Sequence, residues 1–310
     1  MVNKIRGEIL RALRTSGDYV SGEVVSKELG ISRVSIWKHL RSLMQQGYVI
    51  ESSPIGYRLI SSPDLLLPYE LPDWEERIYH FPEVSSTMEV AKELAKKGVE
   101  EGTIIVAESQ ARGRGRLSRE WFSPKGGIYS TLSLKPKISP GYAPRINLMA
   151  SVAVASAIRQ LFGLAAELKW PNDVLIEGRK VCGILAEMGA EMDAINFVNL
   201  GIGINANFAI GQYEKRATSL KEELGKEIDR KELLNSVLRE ITKQQASLTK
   251  ADLLEEWKSL SATLNRDVMV VSLGEEIRGK AIDIDSSGAL ILKCPDNSLR
   301  NIIAGDCFHL

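Results

Sequence analysis

Glu108 to Lys125 reads ESQARGRGRLSREWFSPK, with Arg112, Arg114, Arg116 and Arg119 inside eight residues and Gly113 and Gly115 between the first three. Glycine lets a backbone turn through positive φ and come close to a ligand. Guanidinium forks grip phosphate or carboxylate with two parallel bonds, which an ammonium cannot do. Thr103 to Ala107 (TIIVA) leads in and Ile128 to Leu134 (IYSTLSL) leads out, two apolar runs of strand length. A flexible cationic loop between two strands suits a lid over an anionic ligand. Taken alone it also suits a solvated basic turn, or a hook for the DNA minor groove, into which arginines insert. Little counter-charge lies nearby in sequence, so the loop is expected to order only when its ligand arrives.

Outward from the loop, polar groups keep collecting where strands end. Upstream is Val84-Ser85-Ser86-Thr87-Met88-Glu89, in which Ser86 and Glu89 have the spacing of a capping box at a helix start. Capping would account for Ser86 but not for the neighbouring Thr87 hydroxyl, which could serve a small ligand beside the helix N-terminus. Downstream, Ile146 to Phe162 is a helix of small residues suited to close packing on a sheet. Glu167 to Ile176 (ELKWPNDVLI) follows, and Pro171 cannot donate within a central strand, so the chain must turn there. That turn is expected to expose Lys169, Asn172 and Asp173. Glu177-Gly178-Arg179 reads as a hairpin turn, which puts Lys180 at the start of the returning strand. Ile195 to Asn205 (INFVNLGIGIN) reads as a buried strand whose glycines permit close approach. No paired carboxylates, activated Ser or Cys, or metal cluster stands out. A site of cations and polar donors works by orienting reactants and stabilising anionic charge. Nucleotidyl transfer from ATP to a carboxylate is one reaction that needs little more.

The first sixty residues carry a different pattern. Ile5, Ile9, Leu10 and Leu13 recur at helical spacing. Ser21 and Gly30 bound a second helix, and Ser32 and Gly47 a third, with Ile36, Leu40, Leu43 and Met44 on one face. Ser35, Lys38, Arg41, Ser42 and Gln45 fall on the other face. Tyr48 to Ile60 reads as a hairpin, which completes a winged helix-turn-helix. Through Ile60 there are nine Lys and Arg against five Asp and Glu, a local net of +4 in a chain whose 40 basic and 40 acidic residues otherwise cancel. The local excess favours phosphate contact, and Ser32, Arg33, Ser35, Lys38 and Arg41 are the candidate DNA-binding residues. A head used only for protein contacts is the alternative.

At 310 residues the chain has room for two or three domains. The expected divisions are 1–62, a proline-bearing linker at 63–75, a central domain at 76–262 and a tail at 263–310. In the tail, strands are expected at 268–271, 277–284, 289–292 and near 302–303, the pattern of a small SH3-like barrel. Cys182, Cys294 and Cys307 have neither metal spacing nor a disulfide framework, which fits a reducing cytosol. No apolar run spans a membrane and no signal-peptide pattern opens the chain. The expected location is therefore the cytoplasm.

The motifs in this order resemble biotin–protein ligases of the bifunctional type that carries an N-terminal winged helix. Ser86-Thr87, Gln110 with Gly113-Arg114-Gly115-Arg116, Trp121 to Pro124, Lys169-Trp170-Pro171-Asn172-Asp173, Lys180 with Gly183-Ile184-Leu185 and Gly201 to Asn205 are the matching positions. The resemblance implies an α+β fold with a winged head, a central mixed-sheet domain like class II synthetases, and the small barrel. It implies two steps: biotin and MgATP give biotinyl-5′-AMP, and biotin then passes to a lysine of a biotin carboxyl carrier domain. It assigns Ser86, Thr87, Met88, Gln110, Arg114, Gly115, Arg116 and Lys180 to biotin, with Lys180, Arg114 and Arg116 acting in catalysis. Trp121, Lys169, Asn172, Asp173 and Asn205 go to the nucleotide. Mg²⁺ is expected to accompany ATP, with protein metal ligands unassigned. The resemblance also implies a homodimer that binds operator DNA and represses biotin genes with the adenylate as corepressor. Met88 stands where the family often has Asn, so a side-chain amide contact is lost there. Ala217 lies in the region where the family's type repressor has an adenine-ordering tryptophan. The competing readings are a ligand-sensing repressor without turnover and a lipoate or octanoate ligase of the same superfamily.

Overall fold

The computed structural model describes residues 2–190, 195–272 and 274–310. The chain divides into two compact units, Met1–His80 and Phe81–Leu310.

Three helices and a hairpin build the first unit: α1 (Val2–Ser16), α2 (Gly22–Leu29), α3 (Arg33–Gln45), β1 (Val49–Ser53) and β2 (Gly56–Ser61). The expected caps form. Ser21 and Ser32 side chains accept from the Val24 and Ser35 N–H groups at 3.1 and 3.2 Å, each satisfying a donor that has no partner within its helix. Ile9, Leu10, Leu13, Val25, Ile36, Leu40, Leu43 and Tyr48 make the core. Met44 does not join it and is 41% exposed. One residue past Leu43 is 100° further round the helix, outside the stripe centred on Ile36, Leu40 and Leu43. Leu67 and Tyr69 bury in the same core, and the Tyr48 hydroxyl donates to the Glu70 carboxylate, which also receives Arg14 at 2.8 Å.

The second unit is organised on a mixed sheet. Its strands are β3 (Ile78–Phe81, within which the unit boundary falls), β4 (Ile104–Ala107), β5 (Ile128–Leu134), β6 (Ala166–Lys169), β7 (Asp173–Ile176), β8 (Arg179–Ala190) and β9 (Ile195–Ile204), in the order β3-β4-β5-β9-β8-β7-β6. Helix α4 (Thr87–Lys96) packs on β4, β5 and β9. Helix α5 (Pro144–Phe162), buried along most of its length as its small residues predict, packs on β6, β7 and β8 and on α7 (Arg230–Gln245) and α8 (Ala251–Ser259). A short helix, α6 (Leu220–Leu224), went unread in the sequence although its capping box of Ser219 and Glu222 is legible there.

The tail forms β10 (Asp267–Ser272), β11 (Glu275–Ile284), β12 (Leu290–Lys293), β13 (Leu299–Ile302) and β14 (Asp306–His309), an antiparallel sheet in the order β13-β12-β11-β10-β14. The strand expected near 302–303 resolves into two, because Gly305 at φ +159° turns the chain between them. The tail is tied to the central sheet by buried polar contacts. Trp170 Nε1 donates to Gly288 O at 3.2 Å, and Arg145 of α5 donates to Ser286 O at 2.7 Å while it is itself held by donating to the Leu248 and Lys250 carbonyls of the central domain at 3.0 Å.

A two-chambered candidate active site

The site begins with glycine periodicity. In β9, Gly201 and Gly203 share one face and buried Ile202 and Ile204 the other, since side chains alternate along a strand. Gly203 is paired across the ladder with Gly183 of β8, so the strand pair presents a bare patch of backbone. The Trp121 indole lies on it: a Cβ added at Gly203 would stand 2.5 Å from Trp121 Nε1, and one at Gly183 would stand 2.8 Å from the ring. Met88 sits beside it, with Sδ 2.7 Å from where a Gly201 Cβ would be. The arginine loop is folded back on itself, with Trp121 N donating to Gly113 O at 2.8 Å and Gly115 N donating to Arg119 O at 2.7 Å, and it lines the same cavity as this floor.

An inner chamber of about 150 Å³ lies between floor and loop. It is lined by all eight residues that the family resemblance assigned to biotin, together with Tyr129, Ser130 and Asn172. Gln110 Oε1 accepts from both the N–H and the hydroxyl of Thr87, at 2.8 and 3.1 Å, while Thr131 donates to the Thr87 hydroxyl at 2.9 Å and Gln110 Nε2 donates to Ser123 at 2.9 Å. This wall is satisfied internally. Ser86 is an exception: its hydroxyl is fully buried and, among the described residues, has no hydrogen-bond partner. The expected capping box does not form, because Ser85, one turn before Glu89, bonds that carboxylate instead. Ser86 thus caps the helix only through its backbone carbonyl, which receives Glu89 N at 3.1 Å, and its side chain is left for the chamber. A buried unpaired hydroxyl costs roughly 1–3 kcal/mol, a cost that a ligand acceptor or donor removes.

An outer cleft of about 880 Å³ adjoins it, lined by six cationic side chains against three acidic ones. Trp121, Lys169, Asp173 and Asn205 of the expected nucleotide residues line the cleft. Asn172 does not, and the turn fails to expose it. It is 8% exposed, donates to Ile184 O at 2.7 Å and accepts from Arg116 at 3.1 Å, because the turn at Pro171 folds it under β8. Asn205 donates to the Thr218 carbonyl at 3.0 Å, which braces the segment beside Lys180. Lys180 lines both chambers. Its ammonium is 2.6 Å from Asp173 and 5.1 Å from the Trp121 ring centre, so a cation stands at the junction with a carboxylate and an aromatic face holding it. Its main chain is clipped to the neighbouring loop, with Lys180 N donating to Arg216 O at 2.8 Å and Thr218 N donating to Lys180 O at 2.9 Å.

The loop is not short of counter-charge, contrary to the expectation from its local sequence. Arg114 pairs with Glu187 at 2.6 Å, Arg119 pairs with Asp306, and Arg116 donates to Gly305 O at 3.1 Å with Asp306 4.0 Å away. The anions come from β8 and β14, far along the chain. Burial pulls the Arg116 guanidinium below its usual pKa while Asp306 and Asp173 pull it back up. Asp306 lines the inner chamber and had no signal near it in the sequence. At the loop tip, Leu117 and Ser118 both hold positive φ, at 52° and 59°.

On the first unit, Arg33, Lys38 and Arg41 are exposed along α3, whereas the Ser32 hydroxyl is engaged as the helix cap, accepting from the Ser35 backbone N–H.

Comparison with known proteins agrees with this architecture. Residues 80–205 match the biotin/lipoate A/B protein ligase family, residues 263–310 the biotin protein ligase C-terminal domain, and residues 6–58 an HTH domain. The chain is 35% identical to the bifunctional ligase/repressor BirA of Bacillus subtilis, over 99% of both chains, and 30% identical to that of Escherichia coli, over 92% of this chain and 91% of the other. The biotin protein ligase of Aquifex aeolicus, solved in complex with biotin and ATP, superposes with a TM-score of 0.65 at 30% identity, over 75% of this chain and 98% of that one. The chain belongs to the biotin/lipoate ligase family. Within it, the helix-turn-helix and the C-terminal domain together make it a bifunctional ligase/repressor of the BirA type.

Proposed function

We propose that this chain activates biotin with MgATP to biotinyl-5′-AMP, transfers biotin to a lysine of a biotin carboxyl carrier protein, and represses biotin genes with the adenylate as corepressor. The observation that carries the ligase reading is Lys180 standing at the junction of a narrow chamber and a wide cationic cleft. Biotin fills the inner chamber and ATP the outer cleft. A carboxylate oxygen of biotin attacks the α-phosphorus of ATP, and pyrophosphate leaves through the cleft. Lys180 exchanges Asp173 for the carboxylate and the charge that develops on phosphorus. Arg114 and Arg116 hold the adenylate under the loop until the carrier ε-amine attacks the acyl carbon and AMP departs. Ser86, Thr87, Met88, Gln110 and Gly115 shape the biotin site. Trp121, Lys169, Asp173 and Asn205 serve the nucleotide, and Asn172 acts through Arg116.

In this reading the segments 1–62, 76–262 and 263–310 divide DNA binding, catalysis and closure of the site. Ser32, Arg33, Ser35, Lys38 and Arg41 meet DNA, and a homodimer presents two heads to a palindromic operator. The work is done in the cytoplasm, where carrier, ATP and DNA are found; among the described residues no helix is long and apolar enough to cross a membrane. The test is incubation of the purified chain with ATP, biotin and a carrier domain. Carrier labelling and biotin-dependent pyrophosphate release are expected. Release driven by octanoate or lipoate but not biotin overturns the substrate, and no release with any acid leaves only a sensor. A gel shift with biotin operon DNA, with and without biotin and ATP, tests repression.

A further inference from the structure

The exposed face of α3 is not purely polar. Val34 is 64% exposed and Trp37 46% exposed, while the core side of the helix is filled by Ile36, Leu40 and Leu43. Val34, Trp37, Lys38 and Arg41 fall within one third of the helix circumference by their spacing. The Arg41 guanidinium lies 5.4 Å from the Trp37 ring centre, a cation–π contact on the helix surface. Neither side chain belongs to the core cluster formed by the described residues of the first unit, and solvent disfavours both.

In a helix-turn-helix the N-terminal part of the second helix reaches the base edges, while cations around it take phosphates. Arg33, Lys38 and Arg41 supply those cations. Val34 and Trp37 stand between them as exposed apolar side chains, and the major groove offers one apolar group: the C5-methyl of thymine. We propose that Val34 and Trp37 are specificity residues that read thymine methyl groups in the major groove. The inference rests on the reading that this head binds DNA, and it adds the chemistry of what is read. Polar readout of adenine or guanine would call for Asn, Gln or Arg at these two positions.

The test uses the full chain with biotin and ATP. Binding sites are selected from a random-sequence duplex pool, and the winning duplex is resynthesised with deoxyuridine replacing thymidine one position at a time. Uracil keeps every hydrogen-bonding group and lacks only the methyl. Affinity is expected to fall about fourfold at each contacted position. Trp37→Ala and Val34→Ala are expected to bind the thymine duplex more weakly and each to lose discrimination at its own position. Trp37→Phe, which keeps an apolar ring, is expected to retain part of it. Wild-type affinity unchanged by uracil at every position overturns the inference, as does full discrimination kept by both alanine variants. Failure to select any duplex at low salt overturns instead the DNA-binding reading beneath it.

Discussion

Asp306→Asn is expected to make the enzyme leak its adenylate without unfolding it. Asp306 is 12% exposed and faces two guanidinium groups, Arg119 in direct contact and Arg116 at 4.0 Å. Two unit charges at about 4 Å interact by roughly 4 kcal/mol at an effective dielectric near 20. That figure is an upper bound here. Arg119 is 61% exposed, so its share falls to the roughly 0.5 kcal/mol of a surface pair. Arg116 is 20% exposed and keeps two other acceptors, Asn172 and Gly305 O, when the carboxylate goes. Roughly 1.5 kcal/mol of loop closure is lost in all, about tenfold in the escape rate of biotinyl-AMP. The assay forms the complex with labelled biotin and ATP, removes free ligand, and chases with unlabelled biotin while bound label is counted. Arg119→Gln alone should speed escape less than Asp306→Asn, and the double variant should exceed the larger single effect only slightly, because both changes open one contact. An escape rate within twofold of wild type, with an unchanged melting temperature, would refute the idea that the tail holds the loop.

Lys180→Ala should lower the rate of adenylation by about 10²–10³, the scale seen when one preorganised donor to a transition state is removed; pyrophosphate release measures it, and near-normal turnover sinks the assignment. Ser86→Ala should raise the KM for biotin up to about tenfold, the worth of one hydrogen bond. Its melting temperature should not fall, since the hydroxyl has no hydrogen-bond partner among the described residues to lose; a destabilised variant with normal KM would contradict this. Gly203→Ala puts a methyl 2.5 Å from Trp121 Nε1 and should cost about 1–3 kcal/mol in a denaturant melt, together with a loss of ATP affinity. His309 is pulled down to about 4 by burial, then by Lys169 and Arg266. Between that value and its unfolded value the unfolded chain binds more protons, so stability should fall as pH drops from about 6.5 to 4. Urea melts of wild type and His309→Gln at pH 7 and pH 5 should show a smaller acid loss in the variant.

What could be read before the structure was mostly what neighbouring residues decide. Ser21 and Ser32 cap their helices as their positions require, and Glu177-Gly178 turns the hairpin with both residues at positive φ. The strands of the site were legible from their apolar runs. The gathering of Ser86, Gln110, Arg116 and Lys180 around one chamber was legible only through resemblance, since no local rule brings four separate segments together. The failures share a cause. Ser86 and Ser85 compete for one carboxylate, and motif spacing cannot say which wins. Asn172 looked exposed because a proline turn was read without the strand that covers it. The arginines looked unpaired because Glu187 lies 73 residues from Arg114 and Asp306 lies 187 from Arg119. Charge neutrality is a property of the folded neighbourhood, and sequence windows do not contain it.

The glycine pair under Trp121 has a consequence for how such a site can change over generations. Gly183 and Gly203 face each other across the ladder, and one indole rests on both. A side chain at either position lifts the ring, whichever of the two has mutated, and a smaller residue in place of the tryptophan leaves a trough that neither glycine can fill. Each single step is therefore worse than its starting point, while a joint replacement of ring and floor need not be. The three positions form one heritable unit, and drift at any of them alone leads downhill.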